Sequence, residues 1–319
     1  MKLSLRTQQL RKPINFSDRR MPWSGFGREL EPAGSMEELL SSSSLDWKVI
    51  QKPVMTAEET PELISNAYVN IREDNREALG IVTKRYQVIQ NIEAFRFADS
   101  LIEEGIQFER AGIFQGGKKV WLLGKFPESF TVTGDQVTPY FLLLNSHDGS
   151  GGVRAAITPV RVLCSNMLNL AFQRAERSWC IYHTGSIDRR IDMAAKTISG
   201  VHSYMKELSA EAERLHKVIL PDDKVHALLD KLLPIRKNLT ARQEQNIKLQ
   251  KEELMQRYLE APDLKDVGKN GYRFLNAVSD FATHAEPIRK TENYQENLFA
   301  RSVDGLSILD KAYTLLQAA

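Results

Sequence analysis

Residues 137–162 read VTPYFLLLNSHDGSGGVRAAITPVRV and contain two apolar runs. The first run is Val137–Leu144 and the second is Val153–Val162. Both are rich in β-branched and aromatic residues, which favour strands. The Gly151-Gly152 pair between them is typical of a turn. The stretch therefore predicts two consecutive strands.

The residues around this stretch show the same pattern. Phe108–Phe114 and Val120–Phe126 flank Gly116-Gly117-Lys118-Lys119, which predicts a β-hairpin. Further strands are predicted at Leu79–Ile89, Phe130–Val132 and Trp179–His183. Helices are predicted at Ile92–Ile102, with Asn91 as N-cap, and from Ser165 or Asn166 to about Ala175. Strands joined by hairpins and covered by few helices predict an α+β fold with an antiparallel sheet and a β-β-β-α-like core.

The chain becomes almost entirely helical in its pattern from residue 187 onward. Apolar residues recur there at a spacing of three and four. The predicted helices are Ile187–Leu220, Asp222–Leu233, Thr240–Leu259, Tyr272–His284 and Asn297–Leu316. We therefore expect an antiparallel α+β domain over residues 45–186 and a helical region, packed on it, over residues 187–319.

Residues 1–44 have the composition of a basic arm rich in Pro, Gly and Ser. Seven of the first thirty residues are Lys or Arg and two are acidic. One interpretation is a solvated tail, and the other is an arm that contacts nucleic acid or a neighbouring subunit. Trp23 and Phe26 indicate that the arm docks, because solvated tails rarely carry aromatic residues. We expect deletion of residues 1–30 to leave the thermal midpoint nearly unchanged.

The composition is that of an ordinary soluble protein of 319 residues. Lys and Arg total 43 against 41 for Asp and Glu, so a polycation is excluded but a local basic surface is not. The apolar runs are much shorter than the roughly 20 residues of a membrane span. No secretory signal is evident, and two cysteines suit a reducing compartment. We expect a cytoplasmic protein without membrane contact.

The box Asn145-Ser146-His147-Asp148-Gly149-Ser150 follows a strand that should be buried. His147 can act there as a general base or a metal ligand, with Asp148 orienting it. The alternative is a turn in which Asp148 hydrogen-bonds its own backbone. We favour a structural or ligand-positioning role, because no known catalytic spacing accompanies the box.

A second polar group surrounds the end of the next strand. Arg161 and Asn166 lie across a predicted strand-to-helix junction, where unpaired N–H groups and a guanidinium can bind phosphate. The alternatives are ordinary helix capping for Asn166 and a buried acidic partner for Arg161. Cys164 is interpreted as a small buried residue.

A third group consists of side chains that only the fold can bring together. His183 ends a predicted strand, and Asn276, Asp280 and His284 are spaced by four on one helical face. These side chains either complete a site with His147 or form an exposed polar stripe. No metal-binding spacing, P-loop, nucleophile elbow or dinucleotide fingerprint is present. No metal site and no cofactor are therefore predicted from the motifs.

Several of these motifs occur together in one order: residues 86–91, 145–150 and 160–168, His183-Thr184, and residues 275–278 with His284. In this combination the chain resembles a family of phage- and plasmid-borne proteins known as domain of unknown function nine-thirty-two. The resemblance covers about residues 45–316. Met167 stands where the family usually has Thr, and Asp280 where it favours Glu. The resemblance implies a phage, prophage or plasmid setting and no activity.

Two classes of function remain open. The preferred one is a homo-oligomeric nucleic-acid-binding protein that binds or anneals single-stranded DNA in recombination, because its strand order is similar to that of single-strand annealing proteins. Its candidate contacts are Lys118, Lys119, Arg154, Arg161, Asn166, Arg174, Arg177, Arg189 and Arg190. The alternative is a phosphodiesterase or other hydrolase that uses a divalent metal with His147, Asp148, His183, Asn276 and His284.

Overall fold

The computed structural model describes most of the chain. The described residues are 14–17, 19–21, 23–161, 178–184, 200–286, 291, 294, 297–299 and 307–318. The strands are β1 (Arg28–Glu29), β2 (Val49–Met55), β3 (Leu63–Arg72), β4 (Ala78–Val82), β5 (Gln107–Phe114), β6 (Lys119–Lys125), β7 (Phe130–Val132), β8 (Asp135–Ser146), β9 (Val153–Arg161) and β10 (Ser178–Ile181).

The described helices fall into two groups, one before β5 and one after β10. They are α1 (Met36–Ser42), α2 (Asn91–Phe95), α3 (Ala98–Glu103), α4 (Val201–His216), α5 (Asp222–Leu232), α6 (Ala241–Glu260), α7 (Gly271–His284) and α8 (Ser307–Gln317). The α+β class predicted from the sequence is confirmed. The predicted bounds of α5, α6 and α7 agree with these to within one residue at either end.

The larger of two antiparallel sheets forms the centre of the molecule. Its seven strands follow the order β1-β5-β6-β8-β9-β10, and β7 pairs with β8. The hairpin predicted around Gly116 and Gly117 joins β5 to β6. Strand β8 is buried along nearly its whole length, as expected for a continuous apolar run covered on both faces.

The two faces of β8 are covered by different parts of the chain. Successive side chains of a strand point to opposite faces. Tyr140 packs against Trp23 with ring centroids 4.9 Å apart, whereas Phe141 packs against Phe97 at 6.5 Å. The N-terminal segment therefore covers one face, and the segment that carries α2 and α3 covers the other.

The N-terminal segment expected to be a basic arm is folded into the body of the protein at these positions. Trp23 is 4% exposed, and α1 buries Met36, Leu39 and Leu40. The side chain of Ser35 caps α1 by accepting from the backbone N–H of Glu38. Deletion of residues 1–30 removes Trp23 and should therefore lower the thermal midpoint, contrary to the expectation from the sequence.

The smaller sheet was predicted only in part: β4 covers the start of the strand expected at Leu79–Ile89, and β2 and β3 were not predicted. It has the order β2-β3-β4. Polar and strand-breaking residues, among them Pro53, Asn66 and Asn70, interrupt its alternating pattern. Asn66 has a φ of 60°, and Asn70 is fully buried. Both residues therefore interrupt the alternation of polar and apolar residues from which a strand is predicted.

Candidate functional site

The residue His147 directly follows β8 and is fully buried. Its backbone N–H donates to the carbonyl of Lys118 at 2.7 Å, and its own carbonyl accepts from Nδ2 of Asn70 at 2.7 Å. These bonds tie the end of β8 to the β5–β6 turn and to the smaller sheet.

The imidazole of His147 lies among neutral polar groups. Its Nε2 is 2.9 Å from Oδ1 of Asn91 and 3.3 Å from Nδ2 of Asn145. Because an amide oxygen only accepts, Nε2 carries the proton. Burial, with smaller contributions from His183 and Arg72, lowers the pKa of His147 to about 3. The ring is therefore neutral at physiological pH.

His183 lies in the same surroundings and is also neutral. Its Nδ1 donates to the carbonyl of Gln87 at 3.0 Å, and its ring stacks on Tyr86 at 4.6 Å with an interplanar angle of 6°. The Tyr86 hydroxyl donates to the carbonyl of Ser146 at 3.0 Å. Burial lowers the pKa of His183 to about 4. We call these two histidines, with Asn70, Tyr86, Asn91 and Asn145, the histidine cluster.

Asp148 closes a turn beside the histidine cluster. Its Oδ1 accepts from Oγ of Ser146 at 2.7 Å and from the backbone N–H of Ser150 at 2.8 Å. Burial raises the pKa of Asp148, but the bonds from Ser150 and Ser146 and the charge of Lys119 lower it further, so the net shift is downward. This geometry agrees with the structural alternative, a turn held by the aspartate.

The turn also fits tightly against the smaller sheet. A Cβ added at Gly80 of β4 would lie 2.6 Å from the carbonyl oxygen of Asp148. A side chain at Gly80 is therefore excluded unless the backbone moves. Gly149 has a φ of 80°, a left-handed conformation that favours glycine.

A different polar group lies at the other end of β8. Arg161 is fully buried, and its guanidinium pairs with Asp135 at 2.8 Å and with Asp263 at 2.8 Å. The hydroxyl of Tyr272 donates to Asp135 at 2.8 Å. Arg161 therefore holds buried acids, and its guanidinium is turned into the protein rather than toward a phosphate.

Ion pairs extend this group into the helices. Asp280 of α7 pairs with Arg257 at 2.6 Å and with Arg19 at 3.0 Å, and Arg19 also pairs with Asp263. Nδ1 of His284 is 3.0 Å from Asp280. Burial raises the pKa of Asp280, but the His284 hydrogen bond and the charges of Arg257 and Arg19 outweigh it, so the net shift is downward.

We call the set Arg19, Asp135, Arg161, Arg257, Asp263, Asp280 and His284 the ion-pair network. Its partners come from the N-terminal segment, from β8 and β9, and from α6 and α7. Asp263 stays ionised: burial raises its pKa, while Arg19 and Arg161 lower it by more. The network therefore joins the helical region to the sheet and to the N-terminal segment.

The length of β8 separates the histidine cluster from the ion-pair network. Asp135 and Ser146 are 11 residues apart on this strand, which corresponds to about 36 Å at about 3.3 Å per residue. His147 follows Ser146, whereas His284 is linked to Asp135 through two bridging guanidinium groups. A site shared by His147 and His284, one of the two alternatives that the sequence left open, is therefore contradicted by this separation.

Asn276 belongs to neither a shared pocket nor an exposed stripe. It is fully buried, and its Nδ2 donates to the carbonyl of Tyr272 one turn earlier at 2.9 Å. Of the candidate catalytic side chains, the structure thus brings together His147, His183 and Asp148 alone. Within the described ranges, no group of three or more His, Cys, Asp or Glu side chains is arranged to hold a metal ion.

The candidate nucleic-acid contacts fall into three groups. Lys118 and Lys119 are half-buried at the β5–β6 turn, and Arg154 is half-buried on β9. Arg161 is interior. The remaining candidates lie outside the described residues: Asn166, Arg174, Arg177, Arg189 and Arg190. The aromatic residues Phe114, Trp121 and Tyr140 are buried and belong to the core.

Sequence reasoning missed the amides of the histidine cluster and the acidic partners of Arg161. Asn70 is isolated between Val69 and Ile71, and that isolation is a usable signal, because buried amides need partners. Asn91 follows Gln90 and Asn145 precedes Ser146, so these two carry no such signal. Asp135 and Asp263 carry no comparable signal. Their pairing with Arg161 depends on tertiary contacts.

The chain matches a known protein family. The sequence profile of the family described as "Domain of unknown function (DUF932)" matches residues 78–303. The chain belongs to this family. The matched residues include both the histidine cluster, apart from Asn70, and most of the ion-pair network. No curated protein and no solved structure matches the chain. In the part of the chain that the structure describes, no helix is long and apolar enough to cross a membrane.

Proposed function

We propose that the protein binds single-stranded nucleic acid, preferably DNA, in recombination of a phage, prophage or plasmid. The observation that carries the proposal is the grouping of cations at the end of the large sheet that holds the histidine cluster. Lys119 and Arg154 lie on one face there, because they align with Ser146 and Leu144 of β8, two residues apart.

The charge of Lys119 contributes to the low pKa of Asp148, which places this cation beside the Asp148 turn. Cations placed on the tip of a hairpin can follow a phosphate backbone, since single-strand binders combine a basic groove with stacking surfaces. The run β5, β6, β8 and β9 also keeps the strand order on which the analogy with annealing proteins rests.

Salt dependence of binding tests the proposal. A fluorescent oligo(dT) strand is titrated with the full chain at several salt concentrations, and anisotropy reports binding. The double variant Lys118→Ala/Lys119→Ala should bind more weakly and lower the slope of log K against log salt by about 1.4, since each phosphate contact on single strands contributes about 0.7.

The matched control removes two exposed lysines from α5. The double variant Lys224→Ala/Lys231→Ala changes the net charge equally, on a helix that packs against α6 and α8. It should keep the wild-type slope. Binding that is absent in the wild type, or equal slopes for both double variants, would contradict the proposal.

A further inference from the structure

We infer that Tyr182, together with Lys84 and Arg85, forms a contact site for one nucleotide of a single strand, with the base on the tyrosine ring and phosphate on the two cations. The inference rests on the proposed function and gives it a site that no sequence motif indicated. Three properties of this surface support it: exposure, charge and a fixed backbone.

Among the aromatic residues that the structure describes around the sheet, Tyr182 is the exposed one. It is 64% exposed, whereas Phe114, Trp121 and Tyr140 are each less than 7% exposed. The exposed face of this ring is open to a ligand that stacks on it. Bases stack on such rings in a sequence-tolerant way, because every base has a π-face.

The cations Lys84 and Arg85 occupy the tip of a turn next to β4. The backbone N–H of Tyr86 donates to the carbonyl of Thr83 at 3.0 Å and closes this turn. Both side chains are exposed, and neither has an ion-pair partner among the residues that the structure describes. Two unpaired cations at one tip provide a phosphate contact.

The turn and Tyr182 are held next to each other by the histidine cluster. The backbone N–H of Gln87 donates to the carbonyl of His183 at 2.8 Å. Arg85 lies two residues before Gln87, and Tyr182 lies one residue before His183. At 3.8 Å between successive Cα atoms, both backbones lie within about 8 Å of that hydrogen bond.

Buried contacts fix the backbone of this surface. The Tyr86 ring, which follows Arg85, stacks on the His183 ring, which follows Tyr182. A Cβ added at Gly152 would lie 3.1 Å from Cα of Tyr182 and 1.9 Å from the carbonyl oxygen of Ile181. The site is therefore preorganised, and ordering it on binding costs little entropy. This assigns the neutral histidines a positioning role.

The test compares ring, charge and base separately. Full-length protein is titrated with oligo(dT) and with an abasic strand of the same length. Tyr182→Ala should weaken oligo(dT) binding roughly five- to 150-fold and leave the salt slope unchanged. Tyr182→Phe should retain wild-type affinity. The abasic strand should bind wild type and Tyr182→Ala equally.

The charged half of the site has its own readout. Lys84→Ala/Arg85→Ala should reduce the salt slope by about 1.4 on both strands. Ile219→Ala, which truncates a side chain that is 75% exposed in the helical region, is the control and should change neither affinity nor slope. Thermal melts of all variants should coincide, because the replaced side chains are exposed.

Failure of this site and failure of the proposed function give different results. If wild type binds oligo(dT) but Tyr182→Ala binds it equally well, Tyr182 is not a stacking platform and the inference is wrong, while the proposed function stands on Lys118 and Lys119. If wild type binds neither strand, both are wrong.

Discussion

The two ends of strand β8 bury polar side chains in opposite ways. At the Ser146 end, two histidines are kept neutral: one ring nitrogen of each bonds an amide or carbonyl oxygen, and the other has no hydrogen-bond partner among the described residues. At the Asp135 end, arginines and carboxylates remain charged and neutralise one another. Neutral groups need only hydrogen bonds when they are buried, whereas a buried charge needs a partner in good geometry.

The difference fits what each end joins. The ion-pair network connects the sheet, the helices and the N-terminal segment, which are distant in sequence. The histidine cluster connects strand ends and turns of the two sheets, close to the half-buried and exposed cations of the proposed nucleic-acid surface. Because both histidines are neutral, they add no positive charge to the interior at that end of the sheet.

The largest effect is expected from breaking the ion-pair network. Arg161→Ala leaves Asp135 without its cationic partner and Asp263 with Arg19 alone, and the free energy of unfolding should fall by about 3–5 kcal/mol. Chemical denaturation followed by circular dichroism measures it. Lys248→Ala removes a cation from an exposed pair with Glu244 and should change stability by less than about 0.5 kcal/mol. Similar losses in the two variants would contradict a buried network.

The next effect concerns pH. The pKa of His147 in the folded state, about 3, is below its ordinary value of about 6.5. Its contribution to stability is therefore fully present above about pH 6.5 and is lost as the pH falls toward 3. Between pH 6 and pH 4.5, the free energy of unfolding should fall more steeply with decreasing pH in wild type than in His147→Gln. The two slopes should differ by about 1.4 kcal/mol per pH unit.

The control for this comparison is His226→Gln, which replaces an exposed histidine on α5. It should follow the wild-type pH dependence. If His147→Gln also follows the wild type, the His147 ring titrates alike in folded and unfolded chains and is not buried as the structure has it.

The smallest effect is expected at the Asp148 turn. Ser150→Ala removes the hydroxyl that donates to Oδ1 of Asp148 at 2.7 Å but keeps the backbone bond. The free energy of unfolding should fall by about 0.5–1.5 kcal/mol, measured by denaturation. Ser100→Ala, which removes an exposed hydroxyl that donates to the carbonyl of Phe97 at 2.6 Å, serves as a second hydroxyl deletion.

The regular elements could be predicted, and the clusters could not. Helices α5, α6 and α7 carry three-and-four spacing with clear end signals, such as Thr240, whose side chain caps α6. The helix predicted at Ile92–Ile102 is instead two short helices, α2 and α3. The N-cap of α2 is Gln90 rather than Asn91. Asn91 is buried because it bonds His147 and the carbonyl of Leu45.

The same limit explains the candidate sites. The sequence offered two interpretations of Asp148, and local geometry alone decided for the turn. It offered phosphate or a buried acid for Arg161, and the choice depended on Asp263, which is 102 residues away. Contacts over such separations leave no trace in local spacing. For the same reason the sequence left open whether His147 and His284 share a site.

The protonation state of the histidines is the quantity to measure next. Long-range proton–nitrogen NMR spectra of the imidazole rings, recorded between pH 7 and pH 5, report charge and tautomer for each histidine. His147 should remain neutral with its proton on Nε2, and His183 should remain neutral with its proton on Nδ1. An imidazolium signal from either ring at pH 6 would contradict a buried neutral cluster and show a histidine open to proton exchange.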